Sequence, residues 1–262
     1  MDHAEVGRYW DQNADTWTEL VRAGYDIYRD LVNTPAFLAM LPDLSGRNGL
    51  DLGYGEGHNT RLLARRGAQM TAIDIAWRFL DAAVAEERRR PLGIRYLHSS
   101  AVALPFHDGA FDFVVAFMSL MDMPDLLTVL AEVHRVLRSG GFLPFSIEHP
   151  CTAPPGGGWV TDQHGRWVAR AIGGYFEQQP QVDTWIFGAA PDALRRARRP
   201  FRIPRFPRTL GAWLNAIASA GLIVEAADEP YADEAAIARH PQLEGTRIAP
   251  LFLHLRCRKS TS

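Results

Sequence analysis

Between Leu50 and Ile75 the chain reads LDLGYGEGHNTRLLARRGAQMTAIDI, with glycines at 53, 55 and 57 and carboxylates at 51 and 74. Three glycines in five residues, set between a short apolar run and an amphipathic one, predict a strand (GLDLG) that turns sharply into a helix (HNTRLLARRG, closed by Gly67). Glycine there allows backbone angles that side chains resist, and it lets a ligand reach the main chain. A loop joining a first strand to its helix lies over the carboxyl edge of the sheet, where open α/β folds bind their ligands.

The alternation continues downstream. AQMTAIDI predicts a second strand, and RFLDAAVAEERRR a helix with Leu80, Ala83 and Val84 on one face, stopped by Pro91. GIRYLHSS and FDFVVAFMSL predict the third and fourth strands, LLTVLAEVHRVLRSGG an amphipathic helix, and FLPFSIEHP the fifth strand. This spacing implies βαβ units and a parallel sheet covered on both faces. Ahead of it, residues 1–42 read as helical, VGRYWDQNADTWTELV and then DIYRDLVNTPAFLAMLP.

The periodicity breaks after Pro150. Residues 151–207 are rich in glycine, proline and aromatics, and a compact domain rarely carries so long an irregular segment unless it is functional or disordered. Trp159, Trp167 and Trp185 argue against disorder. RTLGAWLNAIASAG then resumes as a helix, and LIVEAADEP and APLFLHLRCRKS read as two final strands, antiparallel to each other, with a frayed tail from Lys259. The expected organisation is an N-terminal helical lid (1–42), a cofactor-binding core (43–150), an inserted substrate cap (151–207) and a C-terminal part of the core (208–262).

The acids and glycines discriminate between ligands. In the dinucleotide fingerprint the third glycine comes one residue later; here His58 occupies that position. Asp51 would face a diphosphate unfavourably but suits a cationic amino group, and Asp74, ending a strand, can accept from both hydroxyls of a ribose. A ligand with a ribose, an amino group and no phosphate fits better than a nicotinamide dinucleotide.

On these residues the chain resembles the class I S-adenosylmethionine-dependent methyltransferases. Asp51-x-Gly53-x-Gly55-x-Gly57 is similar to their first motif. SSAVALPF (99–106) resembles their adenine block, FDFVVAFMSL their fourth-strand motif, and LAEVHRVLRSGGF the helix and turn before their fifth strand. The resemblance implies a Rossmann-like α/β fold with a mixed seven-stranded sheet flanked by helices, S-adenosylmethionine as methyl donor, S-adenosylhomocysteine as product, and no metal. It assigns cofactor contacts to Asp51, Gly53, Gly55, Gly57, Asp74, Ile75, Ser100, Ala101, Phe117 and Arg29, the last through the cofactor carboxylate. Two residues depart from the pattern. Ser100 replaces the usual acid of the adenine block, so adenine's amine would be met by the Ser100 hydroxyl or by a backbone carbonyl. Tyr54 stands where relatives have a small residue, and either packs on the methionine arm or fills space.

Within that scheme the aromatic segment RYWDQNADTWTEL predicts Tyr9 and Trp17 beside the transferring methyl, with Phe117 as the wall and the Tyr9 hydroxyl orienting the acceptor. The alternative is an ordinary core stripe. His149, Tyr175 and Trp185 are the expected acceptor contacts. Block wording such as GEGHNTRLLARRGA and FMSLMDMPD resembles the antibiotic N-methyltransferases of the lincosamide type, implying late N-methylation of a natural-product amine. A small-molecule O- or C-methyltransferase is the first rival reading, followed by an RNA methyltransferase and an NAD-binding oxidoreductase.

Bulk properties set the remaining expectations. With 28 Lys+Arg against 30 Asp+Glu the net charge is -2, so nothing global favours a nucleic-acid partner. The run RRARRPFRIPRFPR (195–208) reads as a solvated, partly amphipathic stretch rather than an RNA groove. Two cysteines, 151 and 257, suit a reducing cytoplasm, no apolar run suggests a membrane segment, and no metal-ligand spacing occurs. Self-association into a homo-oligomer is left open.

Overall fold

The computed structural model describes residues 1–154 and 156–261. The central strands are β1 (Asn48–Leu52), β2 (Gln69–Asp74), β3 (Arg95–His98), β4 (Phe111–Phe117) and β5 (Leu137–Glu148). Residues 151–207 add β6 (Gly158–Thr161), β7 (Trp167–Ala171), β8 (Gln181–Trp185) and β9 (Phe201–Arg205), and the chain closes with β10 (Leu222–Asp228) and β11 (Phe252–Lys259). One seven-stranded sheet has the order β10-β11-β5-β4-β1-β2-β3. β1 runs parallel to β2 and β4, and β11 is antiparallel to both β5 and β10, so the sheet is mixed. Strand order reverses between β1 and β4. The loops leaving their carboxyl ends diverge there and open a crevice.

Period-two alternation sends successive side chains of β4 to opposite layers. Val114 and Ala116 join Leu50, Phe145 and Ile147 under α5 (Leu126–Val136) and α7 (Leu210–Ser219). Phe113 and Val115 join Met70, Ala72 and Phe142 on the other face, together with Leu63 of α3 (His58–Arg65) and Phe79 and Ala83 of α4 (Trp77–Arg89). Both faces are thus apolar, which is why these strands read as continuous hydrophobic runs.

The helix expected through Gly141 stops at Val136 instead. Phe111 and Phe113 of β4 face Leu137 and Phe142 of β5, so the intervening residues bulge, with Gly140 at φ +71. The N-terminal region is two helices rather than one run. α1 (His3–Arg22) is capped by Asp2, whose carboxylate accepts from the Glu5 amide at 2.7 Å, and it ends before Gly24 at φ +82. A π-helical turn (Arg29–Asn33) then flows into α2 (Thr34–Met40). The tail is tied down at Lys259, whose Nζ donates to the carbonyls of His134 and Leu137 at 2.7 Å; Ser262, its end, lies outside the described residues.

Residues 151–207, of which Pro155 lies outside the described residues, form two hairpins. In β6–β7, Trp159 and Trp167 stack at 4.6 Å over Gly245, where an added Cβ would sit 2.7 Å from the Trp159 ring. β8–β9 enclose α6 (Asp192–Ala197) in their connection and pack on α1. The seam is aromatic and apolar: Trp17 meets Trp185, Phe187 and Phe201 at 5.8, 5.0 and 4.9 Å. Buried Asn13 of α1 fixes the register by donating to the Arg202 carbonyl and accepting from the Arg202 amide.

Candidate active site

The β1–α3 loop has all three glycines in the left-handed region, at φ +74, +57 and +88 for Gly53, Gly55 and Gly57. Each excludes a side chain for a different reason. A Cβ on Gly53 would lie 2.7 Å from that of Ser119, whose hydroxyl donates to the Leu52 carbonyl at 2.6 Å. A Cβ on Gly57 would lie 2.7 Å from the Tyr96 hydroxyl. Around Gly55 there is open space, and that space is a cavity of about 980 Å³. Asp74 pins the loop from the end of β2: one carboxylate oxygen accepts from the Gly55 amide and the other from the Ala76 amide, both at 2.9 Å. Burial pushes its pKa up to about 6.

The cavity runs from this loop to the cap. Its first half is walled by Trp10, Tyr54, Ile75, Phe79, Ser100 and Ala101. Tyr54 sits edge-on to Tyr96 at 4.9 Å, and its buried hydroxyl has no hydrogen-bond partner; desolvation holds it well above its usual pKa. Arg29, also on the wall, donates Nε to Asp30 at 2.7 Å and approaches Glu56 at 3.7 Å. His58 lines the cavity beside it, its pKa lowered by burial and then by Arg29.

The second half is walled by Phe117, Met118, Trp17 and Trp185 and by a charged cluster. Phe117 packs edge-on against Phe37 at 4.7 Å, and Met118 is the described non-glycine residue with positive φ, at +54. Beyond them the buried Arg205 guanidinium serves three carboxylates: Glu148 at 2.7 Å, Asp183 at 3.2 Å and Asp122 at 3.3 Å. Three acids thus share the Arg205 guanidinium, and a second cation, Arg170, stands on the same wall, donating to the Thr152 carbonyl. Burial, opposed by Arg205, pushes Asp122 up to about 7.

Of the residues singled out in sequence, Gly53, Gly55, Asp74, Ile75, Ser100, Ala101, Phe117, Arg29, Trp17 and Trp185 meet on this one cavity. Five do not line it. Asp51 is buried beneath the loop, where Thr60 of α3 donates to it at 2.6 Å and its other oxygen has no partner, and burial pushes its pKa to about 7. Gly57 serves the turn and the N-terminus of α3. Tyr9 lies outside, under the Arg202 guanidinium at 5.1 Å. At 3.6 residues per turn, eight residues from Tyr9 to Trp17 leave the two roughly 80° apart, whereas seven from Trp10 bring it within about 20° of Trp17. The Trp10 and Trp17 rings accordingly meet at 5.4 Å. His149 is buried against Glu229, with 2.9 Å between Nε2 and a carboxylate oxygen. Tyr175 accepts from the Leu210 amide at 3.0 Å and thereby braces the start of α7.

The sequence reading missed Asp122, Glu148, Asp183 and Arg205. Glu148 is the neighbour of His149 at the same strand end, and it is Glu148 that lines the cavity. Arg205 belongs to the basic run, three other members of which are engaged within the protein: Arg198 with Glu19, Arg195 with Asp192, and Arg208 with the carbonyls of Met123, Pro124 and Phe206. Among the described residues no cluster of three or more His, Cys, Asp or Glu is arranged to hold a metal ion, and no helix is long and apolar enough to cross a membrane.

Comparison with known proteins agrees with this geometry. Residues 50–145, from β1 through most of β5, match the methyltransferase domain family. A demethylmenaquinone methyltransferase of Thermobifida fusca is 30% identical over 207 residues, covering 76% of this chain and 85% of that one. O-methyltransferase cnsE of Penicillium expansum is 30% identical over 171 residues, covering 58% and 62%. In three dimensions the chain is similar to an S-adenosylmethionine-dependent methyltransferase from Mesorhizobium loti, with a TM-score of 0.71 and 29% identity over 86% of this chain and 96% of that one.

Proposed function

This chain belongs to the S-adenosylmethionine-dependent methyltransferases, and we propose that it methylates the nitrogen of a small natural-product amine. The observation that carries the choice of an amine is the pair of partly exposed carboxylates, Glu148 and Asp183, that line the far wall of the cavity on either side of one guanidinium. A cationic acceptor is attracted there, whereas a carboxylate or phenolate is repelled.

The near half of the cavity fits the cofactor. The space left by the missing Gly55 Cβ admits the methionine portion against bare backbone, and Asp74 stands at the strand end where ribose hydroxyls would donate to it. Ser100 and Ala101 would border the adenine, and Arg29 would pair with the amino-acid carboxylate. When bound, the sulfonium supplies an electrophilic methyl whose leaving group is a neutral thioether, so the protein's task is to align, desolvate and deprotonate. Phe117, Trp17 and Trp185 exclude water from the cavity centre, and reacting atoms held in line at roughly 3–3.5 Å gain most of the available acceleration. Aromatic faces also favour a positive methyl, by about 2 kcal/mol where desolvated.

A volume of about 980 Å³ leaves room beyond a nucleoside for a bulky acceptor. A lincosamide-type amine, a proline-derived ring joined to a thiosugar, is of that class, and the cytoplasm is where we place the reaction. Methylation at oxygen is the second reading, kept by the likeness to an O-methyltransferase. The test is incubation with trideuteromethyl-labelled S-adenosylmethionine and a panel of secondary amines, phenols and carboxylic acids, with fragmentation mass spectrometry locating the label. Label on amine nitrogen is the expected result; label confined to oxygen overturns the proposal.

A further inference from the structure

We propose that Glu148 is the residue that binds the acceptor ammonium and takes its proton before methyl transfer, with Arg205 as its positioning partner. This rests on the amine reading above. Glu148 ends β5, the strand beside β4, and Ser146 two residues earlier is register partner to Phe117. Residues two apart on a strand share a face. The Glu148 carboxylate therefore borders the Phe117–Met118 bend, between the loop half of the cavity and the cap. It lines the cavity with its side chain 32% exposed, in contrast to Asp122 at 6%.

Arg205 donates Nη2 to one Glu148 oxygen at 2.7 Å and simultaneously holds Asp183 through Nε and Asp122 through Nη1. A guanidinium is a planar fork that fixes several acceptors at once. The groups facing Glu148 are thus Arg205 of β9, Asp183 of β8 and Asp122 of the segment after β4, with Arg170 of β7 on the same cavity wall. Arg170 is itself engaged, donating to the Thr152 carbonyl at 3.0 Å and lying over Trp159 at 5.0 Å. Asp122 is the more deeply buried of the two, held under Arg205, whereas the Glu148 carboxylate opens onto the cavity where an acceptor can reach it.

The step balances simply. The ammonium N–H bond breaks and its proton passes to the Glu148 carboxylate. The freed nitrogen lone pair forms the N–C bond to the methyl as the C–S bond breaks, its electrons staying on sulfur. The proton on Glu148 returns to solvent as product leaves.

The experiment compares wild type, Glu148→Gln and Asp183→Asn. The first readout is binding, with no methyl donor present: titration with N-methylbenzylamine and with benzyl methyl ether, its uncharged counterpart. Wild type should prefer the amine by about tenfold or more, as expected for a charge-assisted hydrogen bond, and Glu148→Gln should lose most of that preference. The second readout is kcat against pH with an amine acceptor. Glu148→Gln should fall by roughly a hundredfold or more at neutral pH and recover as pH approaches the amine's own pKa, where solution supplies the neutral form. Asp183→Asn should weaken amine binding yet keep the wild-type pH profile, because it leaves Glu148 in place. If Glu148→Gln keeps both the preference and the profile, the assignment of Glu148 is overturned while the amine reading stands. If wild type itself shows no preference for the amine, the amine reading fails first.

Discussion

The two ends of the cavity are built on opposite principles. At the loop end the working surface is main chain: three glycines in left-handed conformations, with the Gly55 amide tied to the Asp74 carboxylate at the end of the neighbouring strand. At the cap end it is side chain: a guanidinium and three carboxylates from four separate elements, with partners 22, 57 and 83 residues apart. A backbone cradle suits a ligand that never changes, because most side-chain substitutions elsewhere leave its shape as it is. A side-chain cluster suits a ligand that differs among relatives, because single substitutions re-set its charge and shape.

Gly55→Val should break that contrast most severely. Nothing within the protein opposes a Cβ at Gly55, so the variant should fold, at a cost of about 1–2 kcal/mol for left-handed backbone. It fills the space the ligand needs, and calorimetry should detect no S-adenosylmethionine binding at concentrations that saturate wild type. Near-native affinity would remove the loop from the site.

Asp74→Ala is the graded version of the same test. It deletes the acceptor for the Gly55 and Ala76 amides and for the ribose, and should weaken cofactor binding by about 1.5–3 kcal/mol, or roughly 10- to 150-fold. Undiminished affinity would mean that the acid only supports the loop.

Asp51→Asn sharpens the comparison through stability rather than binding. The folded carboxyl, pushed up to about 7 from a reference of 3.8, holds its proton more tightly than the unfolded chain does. Its contribution is therefore complete below about pH 4 and is lost as pH rises through about 7. Asn resembles the protonated form, so the Tm of the variant relative to wild type should climb between pH 4 and pH 8, at about 2–4 °C per kcal/mol for a chain of this size. A difference that stays constant with pH would place the ionised form in the native state throughout.

The smallest effect belongs to Tyr9→Phe. Its hydroxyl meets Arg202 at 3.4 Å on the outside of α1, away from the cavity. Turnover should equal that of wild type and stability should shift by no more than about 0.5 kcal/mol. A large fall in kcat would bring Tyr9 back to the reacting atoms.

The same asymmetry explains what could be read from the sequence. Strand periodicity and glycine spacing are local signals, and they located β1, β2 and β4, the glycine loop, Asp74 and Phe117. Arg205 carries no local signal of its role. It stands in a run of arginines that resembles any solvated basic stretch, and only the docking of β9 beside β8 and the β4 edge brings Asp122, Glu148 and Asp183 to it. His149 carries the stronger local signal, a histidine at a strand end, yet the fold turns it toward Glu229. Tyr9 offers an aromatic hydroxyl, but its eight-residue spacing from Trp17 puts the two on different faces of α1, and it is Trp10, seven residues away, that meets Trp17.

The β8–β9 hairpin has an evolutionary consequence. It brings Asp183, Trp185 and Arg205 to the cavity while meeting the rest of the molecule chiefly through α1 and the segment after β4. A lineage can therefore revise what this protein recognises by remodelling one peripheral ribbon, with the nucleoside half inherited intact. The ribbon is about twenty-five residues long, Gln181–Arg205, and replacing it would leave the sheet beneath it untouched.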